Sequence, residues 1–303
     1  LELLIEGEKS SLTIRSGSDT ICLPTLKLEN YKIEELSTLF INFNWDENDI
    51  ILTSLMHKDF LAELSLVFRN SILFINKDEK KNNAGVVYSD KFIVNDRRHI
   101  YIQNFKNPSN IEDLNFPIHK KNMRIFSDTL NTEKNYTLVY KKNENKIFIS
   151  TDGFSGILNN SIANAVPPSI EDLEAIRPTT KVFESLASLL TPSFLFFSGF
   201  YTASTEIRPI SIKVKPNCKE MGVYLKDSGV AGFGQYSVEK ILTTNFDNEL
   251  QEVLGSTIIY DSIKDFLTKE NDNAIVEIYM DSEHGAVYVK SPNQEIYLSK
   301  LLG

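Results

Sequence analysis

The chain of 303 residues is 42% hydrophobic and 24% charged, and it carries a formal net charge of −9. Its length predicts about two domains, since globular domains contain roughly 100–200 residues each. No apolar run reaches the about 18 residues of a membrane-spanning helix, and the acidic balance argues against a chain coated with phosphate-binding cations, although it permits a basic surface on one face.

The first predicted elements form a hairpin near the N-terminus. Leu12 and Ile14 alternate with polar residues, a turn follows at 16–19, and a second strand covers 20–23. Two alternating runs joined by a Gly-containing turn are typical of a β-hairpin. Because the chain starts at Leu1, close to this hairpin, rather than at a methionine, we expect it to begin partway into a longer protein.

The chain as a whole divides into three predicted segments. Residues 1–47 contain the hairpin and a connector with Trp45, and residues 48–177 and 178–303 are each predicted to form one α+β unit. The stretch 166–178 is rich in proline and acidic residues, which predicts a linker between the two units.

The two units share one order of elements, which predicts an internal duplication. Each begins with a short strand and a helix, continues with short strands, reaches a second helix, and closes with strands. The predicted helices are 57–70 and 119–131 in the first unit and 187–202 and 257–269 in the second. The predicted strands are 50–55, 85–94, 99–103, 137–140 and 146–150, then 182–186, 210–214, 222–226, 274–280, 286–290 and 295–298.

Several short strings resemble the bacterial-type DNA sliding clamp, the β subunit of the replicative DNA polymerase (DNA polymerase III). Leu12-Thr-Ile-Arg-Ser-Gly17 resembles the strand near the end of that family's first domain, and 183–190 resembles the strand-to-helix entry of its third domain. Residues 207–212 and 93–100 resemble a further strand and a turn of the family. The resemblance consists in the collinear order of these strings along nearly the whole chain.

The resemblance implies the α+β DNA clamp fold, with repeated domains that each pack two helices on antiparallel sheets. Residues 1–47 would be the C-terminal hairpin of a first clamp domain plus a connector. Residues 48–177 would form a clamp domain like the second of the family, and residues 178–303 one like the third.

The same resemblance implies a non-catalytic processivity factor. Such a clamp associates with itself into a ring, encircles double-stranded DNA without reading its sequence, and tethers the replicative polymerase and other replication and repair proteins. A clamp loader ATPase is implied as a further partner. Neither a membrane partner nor a cofactor is implied, and the expected setting is cytoplasmic, at the replisome.

Helices line the hole of a clamp, so the cations opposite the buried stripe of each helix are candidate DNA contacts. Lysine and arginine attract phosphates without regard to sequence, which suits a protein that slides. The candidates are Lys58 and Arg69 in helix 57–70, Lys120, Lys121 and Arg124 in helix 119–131, and Lys264 and Lys269 in helix 257–269.

The two units differ in how well they fit this expectation. In the first helix the small residues Ala62 and Ser65 lie between two cations, where they would let the backbone approach phosphates. The second unit fits less well, because Asp261 and Asp265 stand beside its lysines and helix 187–202 has no cation. The electrostatic argument therefore rests on the first unit.

Members of the family bind short linear peptides of their partners in an apolar pocket between the second and third domains. A groove at a domain boundary is a common place for such a site. This chain departs from the family at two points, since Arg97 stands in place of a small glycine and Ser299-Lys300 in place of a Met-Pro ending. Carried over by position, the pocket would be lined by Asn95, Arg97, Arg98, Ile100, Pro178, Tyr297 and Ser299.

The sequence shows no assembled catalytic or metal-binding pattern. The four histidines are scattered, and Cys22 and Cys218 give neither a disulfide framework nor metal-ligand spacing. Reduced thiols agree with an intracellular setting. The string Gly153-Phe-Ser-Gly156 lacks the last glycine of a nucleophile elbow because Ile157 follows it. Neither a catalytic residue nor a metal site is predicted.

Two alternatives from other classes stay open. One is a clamp-fold adaptor that binds proteins without encircling DNA, which the weakly cationic second unit favours. The other is a hydrolase on an unrelated α+β scaffold, which strongly shifted titratable groups converging in one cleft would support.

Overall fold

The computed structural model describes residues 2–6, 11–16, 19–24, 49–74, 84–95, 99–111, 114–129, 136–151, 154–160, 168–201, 208–226, 237–282 and 285–301. The chain divides into two units, Leu1–Asp49 and Ile50–Gly303. In the first unit β1 (Glu2–Glu6), β2 (Ser11–Ser16) and β3 (Asp19–Pro24) form an antiparallel sheet in that order. Ser16 pairs with Asp19, which confirms the predicted hairpin. The predicted connector with Trp45 lies outside the described residues.

The second unit contains two modules with the same order of elements, joined by a short helix. The first module comprises β4 (Ile50–Thr53), α1 (Ser54–Ser71), a 3-10 helix (Ile72–Phe74), β5 (Ala84–Tyr88), β6 (Lys91–Asn95), β7 (His99–Asn104), β8 (Asn115–His119), α2 (Lys120–Thr129), β9 (Tyr136–Lys141), β10 (Lys146–Thr151) and β11 (Phe154–Asn159). The joining helix is α3 (Ile170–Ala175). The second module comprises β12 (Thr180–Leu186), α4 (Ala187–Leu195), a 3-10 helix (Phe196–Phe200), β13 (Pro209–Val214), β14 (Glu220–Lys226), β15 (Ser237–Thr243), β16 (Leu254–Ile259), α5 (Tyr260–Thr268), β17 (Ile275–Met280), β18 (Val287–Lys290) and β19 (Gln294–Leu298).

One sheet runs through both modules. Each module has a four-stranded sheet of its own, ordered β11-β10-β9-β4 in the first and β15-β14-β13-β16 in the second. The remaining strands form an eight-stranded sheet in the order β12-β17-β18-β19-β7-β6-β5-β8. The modules meet where β7 pairs antiparallel with β19, from His99 opposite Leu298 to Gln103 opposite Gln294.

The helices of the first module follow from capping and from apolar spacing. Thr53 is extended and its hydroxyl accepts a hydrogen bond from the backbone N–H of Met56 at 3.3 Å, which caps α1. The buried residues of α1 then recur at helical spacing, and in α2 Met123 and Phe126 do the same. The predicted helices 57–70 and 119–131 are therefore confirmed to within a few residues at their ends.

The two faces of the eight-stranded sheet carry different structures. Successive side chains of a strand point to opposite faces. On one face, residues such as Phe92 of β6 and Ile296 of β19 enter the two cores that contain the helix pairs. On the other face, Ile93 and Tyr297 pack with Leu173 of α3. Both helix pairs thus lie on the same face of the sheet, and α3 lies on the opposite face.

Polar and aromatic contacts near the β7–β19 pairing also join the two modules, on the face of the sheet that carries the helices. The Nε2–H of His99 donates to the carbonyl of Phe74 at 2.7 Å, so its Nδ1 is left to accept from the Ser262 hydroxyl at 2.9 Å. Phe74 stacks on Tyr101 with ring centroids 4.0 Å apart, and the Tyr101 hydroxyl donates to Oε1 of Gln294 at 2.9 Å. Each of these buried polar groups has a partner in the other module or in its own, so the junction costs little in unsatisfied hydrogen bonds.

The predicted linker 166–178 contains ordered helix in its described part. Ser169 and Asp172 form a reciprocal capping box at the start of α3. Leu173 is buried against the sheet, and Pro178 is buried ahead of β12. Helix α3, in the described part of this connection, is therefore held against the outer face of the sheet.

Some predicted boundaries were wrong. Residues 257–259 end β16, paired with β13, and the helix starts only at Tyr260. The helix predicted over 187–202 ends at Leu195 and continues as a 3-10 helix, with Pro192 inside it. The sequence pattern also missed β8, β11 and β15. In β8, Pro117 is tolerated because the strand is the edge of its sheet.

Gly85 of β5 marks a close contact in the first module. A Cβ atom on Gly85 would lie 2.3 Å from Cζ of Phe92 and 2.8 Å from Cε of Met123, and both side chains are fully buried. We expect Gly85→Ala to lower the free energy of unfolding by about 1–3 kcal/mol, because overpacking a filled core forces its side chains to shift. Urea unfolding measures this decrease. Gly199→Ala is the matched control, since nothing lies within 4 Å of its added Cβ, and equal stability of the two variants would contradict the expectation.

Candidate nucleic-acid and partner-binding surfaces

The exposed face of α1 carries two of the predicted DNA-facing cations. Lys58 and Arg69 are exposed, and so are Ala62 and Leu66 between them. Residues three and four apart lie on one side of a helix. This face of α1 is therefore a stripe with a cation near each end and small or apolar residues between.

Ser65 does not lie on that stripe. It is only 2% exposed, and its hydroxyl donates to the backbone carbonyl of Ser127 in α2 at 2.9 Å. Its small side chain thus lets the two helices approach each other. The prediction that Ser65 faces phosphates is wrong, whereas Ala62 has the predicted exposure.

Three further predicted cations lie at the start of α2. Lys121 and Arg124 are exposed and Lys120 is half-buried, while the apolar stripe of α2 is buried on the other side. Because α1 and α2 pack against each other over one core, their exposed faces lie side by side. We call the surface formed by Lys58, Arg69, Lys120, Lys121 and Arg124 the basic helix surface.

His119, directly before α2, is affected by the lysines at the start of that helix. Its Nδ1 accepts a hydrogen bond from the backbone N–H of Lys121 at 3.1 Å. Partial burial lowers the pKa of His119 below the ordinary value of 6.5, and the positive charges of Lys121 and then Lys120 lower it further. The charges of these two lysines therefore disfavour the protonated form of His119.

The helices of the second module present a different charge pattern. The Lys264 ammonium lies 3.4 Å from Asp261 and 3.1 Å from Asp265. The Lys269 ammonium donates to the amide oxygen of Asn70 in the first module at 3.1 Å. Helix α4 contains no charged residue.

An exposed apolar surface covers one side of the second module, and the sequence reasoning missed it. Leu189 of α4 is 61% exposed, Phe196 of the following 3-10 helix 45%, and Ile241 of β15 55%. A groove of about 220 Å³ runs between α4 and β15. The apolar run 194–201 was the available signal, but only the fold shows that part of it faces outward beside a sheet edge. We call Leu189, Phe196 and Ile241 the apolar edge surface.

The described residues of the predicted peptide pocket lie on the outer face of the eight-stranded sheet. Asn95 pairs with Ile100, and Ile100 pairs with Tyr297, so three adjacent strands bring these residues into one row. Pro178 is buried after α3, and Ser299 is exposed after β19. Arg97 and Arg98 lie outside the described residues.

Part of this outer face is filled by the chain's own side chains. Arg177 donates to the Tyr297 hydroxyl at 2.9 Å, its guanidinium carbon lies 5.3 Å from the ring centroid of Tyr288, and it approaches Glu295 at 3.9 Å. The recess between α3 and the sheet holds only about 40 Å³. Small-molecule sites measure roughly 300–1,000 Å³, so this recess is too small to enclose a small-molecule ligand.

The described residues contain no group of three or more His, Cys, Asp or Glu side chains that could hold a metal ion. His57, His99 and His119 stand apart on α1, β7 and β8, and the fourth histidine, His284, lies outside the described residues. Cys218 is a half-buried free thiol. Among the described helices, none has the length and apolar character to cross a membrane.

Comparison with solved structures identifies the fold. The DNA polymerase III subunit beta of Borrelia burgdorferi matches at 15% identity with a TM-score of 0.62, covering 99% of this chain and 76% of that one. The DNA polymerase sliding clamp of Pseudomonas aeruginosa matches at 11% identity with a TM-score of 0.65, covering 99% of this chain and 76% of that one. The DNA polymerase III beta subunit of Thermotoga maritima matches at 14% identity with a TM-score of 0.63, again covering 99% of this chain and 76% of that one. No family model and no curated protein sequence matches the chain.

The chain therefore has the fold of the bacterial DNA sliding clamps, which confirms the resemblance seen in its sequence. The predicted α+β class, with two helices per repeated domain packed on antiparallel sheets, is confirmed as well.

The effect of the two lysines on His119 gives a titration that can be measured. We expect Lys121→Gln to raise the pKa of His119 toward 6.5, because one of the repelling charges is removed. NMR titration of the His119 ring measures the shift. Lys213→Gln, on an exposed strand position of the second module, should leave the pKa unchanged. An unchanged pKa in Lys121→Gln would contradict the assignment.

The lowered pKa of His119 also determines how His119 changes the stability of the fold with pH. Since the folded-state pKa of His119 lies below its unfolded value, the folded protein binds fewer protons between the two pKa values. The contribution of His119 to stability is complete above pH 6.5 and decreases as the pH falls toward the folded pKa. Lys121→Gln should make this decrease smaller.

Proposed function

We propose that this chain acts as a DNA sliding clamp, a processivity factor that holds a polymerase on its template. The observation that carries the proposal is the placement of the helices, since both pairs lie on one face of a single eight-stranded sheet. A continuous sheet is stiff, so the helices would present a fixed surface to a duplex on that side. The likeness to solved sliding clamps supports the same function.

The proposed mechanism is topological and breaks no bond, so the protein would not be an enzyme. The basic helix surface supplies sequence-independent attraction to phosphates. The net charge of −9 over the whole chain opposes firm adhesion to DNA. A duplex enclosed by such a protein can slide, and enzymes bound to the clamp gain effective concentration on the template.

The proposal assigns a role to each part of the chain. Residues 1–47 would be the C-terminal hairpin of a first clamp domain with a connector, and 48–177 and 178–303 two further clamp domains. Partner proteins, the replicative polymerase and the clamp loader ATPase, would dock on the outer face around the row Asn95, Ile100 and Tyr297, with Ser299 at its margin.

Self-association into a ring would use the apolar edge surface. The sheets β7-β6-β5-β8 and β15-β14-β13-β16 have the same order, and a helix follows the last strand of each, so β15 is the counterpart of β7. In the first module β7 is covered by β19, and the adjacent 3-10 helix buries Phe74. In the second module the counterpart positions, Ile241 and Phe196, are exposed. A second copy covering them would repeat the burial seen at the internal junction.

A charge on that surface should therefore block assembly. We expect Ile241→Lys in the full-length protein to shift sedimentation from the ring toward the monomer, because a lysine would lose its hydration in the interface. Val253→Lys is the matched control, since Val253 is 49% exposed and lies directly before β16, outside the apolar edge surface. If both variants sediment like the parent, the ring interface lies elsewhere.

Retention on circular DNA tests the function directly. We expect the full-length protein, loaded on nicked circular DNA, to stay bound through gel filtration and to be released when the DNA is linearised, because only a topological link depends on free ends. The intact circle is the matched control. Release from both forms alike would overturn the proposal, and protein binding without any retention on the circle would favour the clamp-fold adaptor.

A further inference from the structure

The two modules share one fold but differ in the charge of their helices. Helices α1 and α2 contain five lysines and arginines and three carboxylates. Helices α4 and α5, with the 3-10 helix between β12 and β13, contain one lysine and two aspartates. A duplex facing all four helices would therefore meet cations mainly in the first module.

In the first module, Glu63 and the exposed cations of α1 and α2 differ in their contacts. The carboxylate of Glu63 in α1 accepts the backbone N–H groups of Lys106 and Asn107, both at 2.8 Å. These hydrogen bonds orient the Glu63 carboxylate toward a neighbouring turn, and its charge remains. In contrast, Lys58 and Arg69 are exposed. Lys121 and Arg124 are exposed as well, and no carboxylate of the residues that the structure describes forms an ion pair with any of these four groups.

Two cations of the second module, Arg208 and Lys264, are already paired with carboxylates. Asp261 lies 3.4 Å from both Arg208 and Lys264, and Asp265 lies 3.1 Å from Lys264. Two cations and two carboxylates in contact present little net charge to a polyanion, and salt screens what remains beyond a Debye length of about 10 Å. Lys269 keeps its charge, and its ammonium is bound by the amide oxygen of Asn70 across the junction between the modules.

The exposed residues of α4 and of the 3-10 helix after it are mostly apolar. Leu189 on α4 and Phe196 after it are among the more exposed hydrophobic residues of the described chain. Apolar side chains give no attraction to phosphate oxygens, which are the main contact of a protein that binds DNA without sequence preference.

We propose that duplex DNA is held by the first module alone, through the basic helix surface, while Lys264 and Lys269 serve the fold of the second module and its junction. This inference rests on the proposed function and makes it specific, since it divides the chain into a module that contacts phosphates and a module that contacts protein. Of the seven cations that the sequence predicts to contact DNA, five keep that role in this proposal, and Lys264 and Lys269 do not.

The salt dependence of DNA binding tests this division. Neutralising one cation that contacts a phosphate should reduce the slope of log K against log salt by about 0.9. We expect K121Q/R124Q to reduce that slope by about 2 and to weaken binding of a blunt duplex at low salt. K264Q/K269Q is the matched control, with two lysines removed from the second module, and it should leave the slope unchanged. Both variants of the full-length protein are measured by fluorescence anisotropy on the same duplex.

The outcomes separate the two proposals. Equal slope changes in both variants, or a larger change in K264Q/K269Q, would overturn the inference while leaving a DNA-binding clamp in place. Binding by the parent protein that does not depend on salt would overturn the proposed function and the inference with it. Thermal unfolding by circular dichroism identifies any variant that no longer folds. For such a variant the single substitutions R124Q and K269Q repeat the comparison, with an expected slope change of about 0.9 against none.

Discussion

The antiparallel pairing of β7 with β19 is the contact on which the rest of the structure depends. It joins two modules of similar fold into one eight-stranded sheet, and it removes two sheet edges that would otherwise be open to other strands. Contacts on both faces hold the pairing: Tyr101 bonds to Gln294 on the helix side, and Arg177 bonds to Tyr297 on the outer side. The helix pairs then share one face of the sheet.

Sharing a face lets the modules diverge without changing the fold. Burial constrains the inner side of each helix, because a filled core tolerates few changes of volume. The exposed side is free of that constraint, so α1 of the first module carries Lys58 and Arg69, whereas its counterpart α4 in the second module has no charged residue and exposes Leu189. The fold thus provides the same scaffold twice, and under the proposed function the outward residues would decide whether a module suits a polyanion or a protein surface.

Prediction from the sequence succeeded where one local rule decides the structure. The alternation at Leu12 and Ile14 predicted a hairpin, and the apolar spacing that includes Phe126 predicted α2, because each depends only on a strand or helix period. It failed where tertiary contacts override a weak local signal. Residues 257–259 lie in β16 because β13 pairs with them, and Ser65 is buried because α2 crosses it.

The candidate surfaces divide in the same way. The amino-acid sequence by itself determined the α+β pattern, its repetition, and the cations of α1 and α2, since a helical period alone puts them opposite the buried stripe. Only the tertiary structure decided that Asp261 and Asp265 pair with Lys264, that Glu63 is oriented toward a turn, and that Ile241 stands at an open sheet edge. The physical reason is that ion pairing and burial depend on which elements pack together, and those elements are brought together by contacts between residues far apart in the chain.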